Sequence, residues 1–370
     1  MQRIAVVEHQ SSQKHGLGEL VLSIDERLNQ NNRHFQEDSE ENLAWLPSTF
    51  AEVVATVKNF ALGEFDREVV ENQLYYHTRE HLNHVQRRAN AIFQVICPYW
   101  QASLGNELTP EYITRINLLL ELCAVAHDMI QIFVPQTQPH TSRRREPGVS
   151  ENLTFEKLLN YIKGVNQQLK EHCIDNSVLF TDADISIIQD AIEATICIYD
   201  PSDQGIYQPA LYDQTRDLSI VAYIIALADI GSLGIDGIAA YNQEGRLLFL
   251  EENPDVIPVI LNQTAATLAV ENPELYENIR QRLLKRARFQ VSFAKSRFIR
   301  YPQEIANLPK EAVAILTCET FKHLTFQTIQ EIELTTPTDE DTSLEELIDF
   351  FELELVMGNH FLAFLNAEVR

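Results

Sequence analysis

Residues 116–133 read INLLLELCAVAHDMIQIF. Apolar side chains recur at intervals of three and four, the spacing that gathers them on one face of a helix turning about 100° per residue. The stretch predicts a buried helix over Glu111–Phe133, with His127 and Asp128 side by side near its middle. An ionised carboxylate in such a setting is costly unless it is paired or bound to a metal. The anomaly repeats in IVAYIIALADIGSL, residues 220–233, where Asp229 sits among apolar neighbours. A third stretch, YYHTREHLNHV at 75–85, places His77, His81 and His84 at helical spacings. Two apolar helices with a carboxylate each, one of them with an adjacent imidazole, are most economically satisfied by facing each other around a cation. The histidine-rich segment then forms the third wall.

Working outward, the same periodicity marks helices over Leu43–Asn59, Glu64–Gln94, Thr154–His172, Thr181–Ile198, Asp217–Gly231, Pro273–Phe298 and Ser343–Leu365. Strand-like alternation is confined to RIAVVEH near the start and RLLFLEE at Arg246–Glu252. The fold class expected is therefore all-α. Three zones rich in polar and turn-forming residues, 24–42, 134–152 and 200–216, interrupt the helical pattern. Functional groups concentrate in such loops.

The 370 residues carry a formal net charge of −25. That charge argues against nucleic-acid polymers and anionic membranes as partners, because both require a cationic surface. Five cysteines lie far apart with no CxxC pair, which excludes a zinc knuckle and reads as free thiols in a reducing compartment. No signal peptide is visible at the N-terminus, and the most apolar stretch, residues 219–240, is broken by Asp229, Asp236 and glycines. A cytoplasmic location is expected.

Taken in order, His81, the pair His127-Asp128, and Asp229 form the pattern H…HD…D. This resembles the HD-domain superfamily of metal-dependent phosphohydrolases, which are helical enzymes. YHTREHLNHV is also similar to the YHNxxHxxxV segment of cyclic-nucleotide phosphodiesterases. The likeness spans roughly residues 64–240. It implies an HD-type helical bundle over 64–240; the likeness does not reach the N-terminal extension over 1–63 or the helical region over 241–370, which is expected to pack on the bundle. By the same resemblance, His81, His127, Asp128 and Asp229 are metal ligands, and His77 protonates the leaving group.

Two imidazoles and two carboxylates suit Mn, Fe, Co, Ni or Zn better than Mg. One divalent ion is expected, because only His140 and His172 lie between the HD pair and Asp229, too few for a second metal. Glu151, in GVSENLT, falls near the position of an NExxS segment in small HD hydrolases, where it orients water. The order here is S-E-N, and Thr78 stands where the phosphodiesterases have Asn. Arg143, Arg144 and Arg145 follow the HD helix and suit bidentate phosphate contact. Arg79 points away from the His77/His81 face, and His84 reads as a bystander.

The substrate implied is a small nucleotide or phosphorylated metabolite, hydrolysed by metal-activated water. The alternative is a non-catalytic HD-like module that binds a ligand or partner. Oxygenase chemistry on this scaffold uses additional histidines that are lacking here. Self-association into a homo-oligomer is left open. The basic stretch Arg280–Tyr301 contains eight Lys/Arg and no acid. It is suited either to capping the pocket or to pairing with the acidic segment Glu331–Glu354 of the same chain.

Overall fold

The computed structural model describes residues 47–104, 109–172, 174–213, 215–262 and 264–354. The described chain is almost wholly helical. Its strands, β1 (Ile198–Asp200) and β2 (Gly205–Tyr207), form a single antiparallel hairpin.

The central layer contains six helices: α1 (Phe50–Glu71), α2 (Arg79–Leu104), α3 (Pro110–Ala126), α4 (Val149–Glu171), α5 (Asp182–Ala194) and α6 (Ile220–Asp229). Helix α1 packs on α3, α2 packs on both α3 and α6, and α5 packs on α6. Their starts are written locally. Thr49 and Glu52 form a reciprocal capping box on α1, as do Thr181 and Asp184 on α5. Pro110 occupies the first turn of α3, where its missing N–H costs nothing. Val57, Phe65, Val85, Leu122 and Ile225 are all fully buried in one continuous core.

Beyond this layer run α7 (Ser232–Asp236), α8 (Ile238–Glu252), α9 (Val256–Asn262), α10 (Ala265–Glu271) and the 32-residue α11 (Pro273–Glu304). Helices α12 (Lys310–Ile315), α13 (Phe326–Thr335) and α14 (Leu344–Phe350) follow. Phe249, Leu283, Leu347 and Phe351 build a second cluster among α8, α11 and α14.

Several element boundaries differ from the periodicity reading. The expected helix over Glu64–Gln94 is two helices, broken at Asn72–Thr78. There the backbone N–H groups of Tyr75, Tyr76 and His77 donate to the Glu251 carboxylate instead of to helix carbonyls. The expected helix over Glu111–Phe133 stops at Ala126, where Met129 N–H bonds the Ala126 carbonyl and turns the chain. Residues 149–152, expected as loop, are the first turn of α4. The RLLFLEE stretch is the end of α8 rather than a strand, since so short an alternation does not distinguish the two periods. Among the described residues no helix is long and apolar enough to cross a membrane. The RIAVVEH stretch, the 24–42 zone, Cys173 and the expected helical residues 355–365 lie outside the described residues.

Candidate metal centre

Each carboxylate of the central cluster stands at a helix C-terminus. Asp229 is the last residue of α6, and Asp128 follows His127, the C-cap of α3. Carbonyl dipoles converge at such ends and make them hostile to anions. His127, whose backbone is still helical, and Asp128, in the turn that follows, both face the cluster. His81 enters from the first turn of α2.

His81, His127, Asp128 and Asp229 each present one donor atom, and the four atoms lie within 4.8 Å of one another. Asp128 Oδ2 is 3.1 Å from His81 Nε2 and 3.0 Å from His127 Nε2. Asp229 Oδ1 is 3.7 Å from each imidazole nitrogen. Ligands held at about 2.0–2.2 Å from one ion sit roughly 3.0–3.5 Å apart at neighbouring positions, so this set needs little adjustment to share a cation.

The outer contacts agree with that use. His127 Nδ1 donates to the Ala124 carbonyl at 3.2 Å, which directs Nε2 at the cluster, where Asp128 Oδ2, 3.0 Å away, is out of line for a hydrogen bond and leaves Nε2 buried without one. A backbone carbonyl on the far nitrogen is the usual way a ligating imidazole is oriented. Gln131 Nε2 holds Asp128 Oδ1 at 3.1 Å, and Gln208 Nε2 holds Asp229 Oδ2 at 3.1 Å. The four side chains therefore fit a divalent cation.

Electrostatics point the same way. Burial pulls the His127 imidazole down, but Asp128 and Asp229 outweigh it and raise its pKa well above the ordinary range. The field that draws a proton onto this nitrogen acts on any cation placed there. His81, by contrast, is lowered, burial exceeding the pull of the same carboxylates. Burial opposes ionisation of Asp128, yet His127 and His77 hold its carboxyl well below the usual carboxylate range.

His77 lies in the turn before α2 rather than on the helix. Its Nδ1 is 2.6 Å from Glu251 Oε1, while Nε2 is 3.1 Å from the Arg145 guanidinium and 3.6 Å from Asp128 Oδ2. Glu251 is the functional residue that sequence reasoning missed. It is fully buried, and its other oxygen accepts the N–H groups of Tyr75, Tyr76 and His77 at 3.2, 3.0 and 3.0 Å. Burial raises its carboxyl, but His77 and Arg145 prevail and hold it at about 2. The signal was present, since Glu251 is a carboxylate in an apolar run, as Asp229 is. Gln131 and Gln208 gave no such signal.

A cavity of about 590 Å³ opens over this cluster, with Asp128, Asp229, His77, Arg145 and Glu151 on its wall. Glu151 lies in the first turn of α4, with Oε2 buried and unpartnered; burial and then Asp128 push its carboxyl up. The three arginines divide. Arg145 also donates to the Gln131 side chain. Arg143 is committed to backbone, donating to the carbonyls of Glu251 and Asn72 with its guanidinium over the Phe133 ring. Arg144 is exposed on the cavity rim. His84 is not in the four-ligand group, and Arg79 pairs with Asp66 at 2.7 Å. His140 faces Asp255 and His172 bonds the Gln168 carbonyl, so neither joins the cluster.

No family model, curated protein or solved structure matches this chain.

Proposed function

We propose that this protein is an HD-type metal-dependent phosphohydrolase acting on a small phosphorylated molecule through one bound divalent ion. The observation that carries the reading is the convergence of His81, His127, Asp128 and Asp229 within 4.8 Å, beneath a cavity that also holds His77 and Arg145. The order of those residues in the chain, H…HD…D, supports the same conclusion.

His81 and His127 from α2 and α3, with Asp128 and Asp229, would hold an ion of the Mn, Fe, Co, Ni or Zn class. When bound, such an ion supplies Lewis acidity and a nucleophilic water near neutral pH. The chain's own groups perform the remaining tasks. Arg145 presents a guanidinium on the cavity wall, where it neutralises and orients a phosphoryl oxygen. His77 is anchored through Nδ1 by Glu251, and its Nε2 accepts the Arg145 N–H; once a phosphoryl oxygen draws that guanidinium away, Nε2 is free to take up a proton and pass it to the departing oxygen. Glu251 is a positioning residue, because it acts through His77 and the 75–77 backbone. Glu151 offers a carboxyl with one buried, unpartnered oxygen as an acceptor that orients the attacking water.

The test begins with elemental analysis of full-length protein purified without chelator, beside the Asp128→Ala/Asp229→Ala variant. About one transition metal per chain, absent from the variant, is expected, together with turnover in a screen of small phosphoesters and phosphoanhydrides. Absence of metal from the wild type after soaking with Mn or Zn refutes the hydrolase reading and leaves a ligand-binding module.

A further inference from the structure

Helix α11 carries eight cations, three of which, Arg282, Lys285 and Arg286, line the same cavity, and their pairing is uneven. Arg280 pairs with Glu277 at 2.7 Å, Arg282 with Asp255 at 2.9 Å, Arg288 with Glu340 at 2.8 Å and Lys295 with Glu333 at 2.5 Å. Arg300 pairs with Asp200 at 2.6 Å and Asp203 at 2.8 Å, and Arg297 pairs with the buried Glu304. Two of these partners, Glu333 and Glu340, belong to the acidic 331–354 segment; the others come from elsewhere in the chain.

Lys285 and Arg286 are different. Among the described residues Lys285 has no hydrogen-bond or ion-pair partner, and it is exposed. The carboxylate paired with Arg286, that of Glu252, stands 4.0 Å away, beyond hydrogen-bonding range. The Arg286 side chain is only 11% exposed, and its Nε is buried without a partner. Both residues line the cavity, and so does Arg144, whose guanidinium has no partner among the described residues.

A chain with a surplus of 25 negative charges has ample carboxylates to neutralise its cations. It gives each of the other six basic residues of this stretch a carboxylate within hydrogen-bonding range; of those six only Arg282 keeps a buried, unpartnered Nε, beside its two bonds to Asp255. Leaving a buried guanidinium N–H unsatisfied is costly unless a ligand completes it. The geometry points to a second anion subsite, formed by Lys285, Arg286 and Arg144, that takes a phosphate-class group remote from the one at the metal centre. The ligand class is then a small molecule bearing two anionic groups. The word "second" rests on the phosphohydrolase reading, but the subsite itself does not.

The experiment is calorimetric titration of inorganic pyrophosphate into chelator-treated full-length protein at low salt. It compares wild type, Lys285→Gln, Lys285→Gln/Arg286→Gln, Lys295→Gln and Asp128→Ala/Asp229→Ala. Saturable binding is expected in the wild type and in the metal-ligand variant. Affinity should fall about tenfold or more when Lys285 and Arg286 are both replaced, fall less with Lys285→Gln alone, and stay unchanged in Lys295→Gln. Lys285 is exposed, so its single substitution reads the subsite without a folding risk. Equal affinity in the wild type and both Lys285 variants overturns the subsite, as does no binding or an equal loss in Lys295→Gln. Affinity unchanged in both Lys285 variants but raised when the Asp128 and Asp229 carboxylates are removed puts the anion beside that cluster; the subsite then fails while the hydrolase reading survives. Failure to bind metal with pyrophosphate binding intact is the opposite result.

Discussion

Replacing Glu251 by Gln keeps the shape of the side chain and a carbonyl for the three backbone N–H groups, but removes the charge. It also turns an amide donor toward His77 Nδ1 or toward those N–H groups, whichever way it is oriented. A carboxyl held at about 2 against an ordinary 4.5 is worth about 3 kcal/mol of folding stability at neutral pH. Spread over roughly 2.1 cal/mol/K per residue for a chain of this length, that loss lowers the melting temperature by about 4 °C. The sign of the pH dependence follows from the direction. Because the folded-state pKa lies below the unfolded one, the stabilisation is complete above about pH 4.5 and fades as pH falls toward 2. Melting curves of wild type and Glu251→Gln at pH 7, 4 and 3 should therefore differ most at pH 7 and converge in acid. A drop of less than 1 °C at pH 7, or parallel acid limbs in the two proteins, would refute the assignment of Glu251 as the anchor of the 75–77 turn.

Two further outcomes test other parts of the molecule. His77→Asn should keep its metal, as read by elemental analysis, while turnover of a phosphoester found in the screen falls about 10²–10⁴-fold; undiminished turnover removes His77 from the proton path. Asp184 accepts Arg115 at 2.8 and 2.6 Å as well as the Thr181 cap, which holds its carboxyl below the usual range despite burial. Asp184→Ala should cost about 2–3 kcal/mol in chemical denaturation at pH 7. That gap should narrow as pH falls below about 4, where the wild-type carboxyl loses its advantage; a gap that persists in acid would mean that packing, not charge, was lost.

The chain's helices were legible because they bury single faces, and a buried face imposes its period on the sequence. Glu111–Ala126 and Ile220–Asp229 could be read this way, and so could the cost of a carboxylate among their apolar residues, although the sequence put Asp128 and Asp229 inside the helices and the structure puts them at the ends. Those costs singled out the two carboxylates, since an apolar run with one carboxylate implies a partner whatever the topology; His81 and His127 were named as their companions by the resemblance to the H…HD…D pattern. The ends of the elements were not legible. Residues 72–78 leave the helical pattern where Glu251, some 175 positions later, satisfies the N–H groups of residues 75–77, and no local pattern encodes so distant a partner. Gln131 and Gln208 are ordinary polar residues until folding aims them at the carboxylates. Arg143, Arg144 and Arg145 look alike in the sequence, yet one is bound to backbone carbonyls, one is exposed on the rim, and one reaches His77. The composition revealed the cations of α11, but only the packed structure determined which of them found carboxylates and which were left facing the cavity. Periodicity is a property of one element's buried face; the satisfaction of a polar group depends on every element that folds against it.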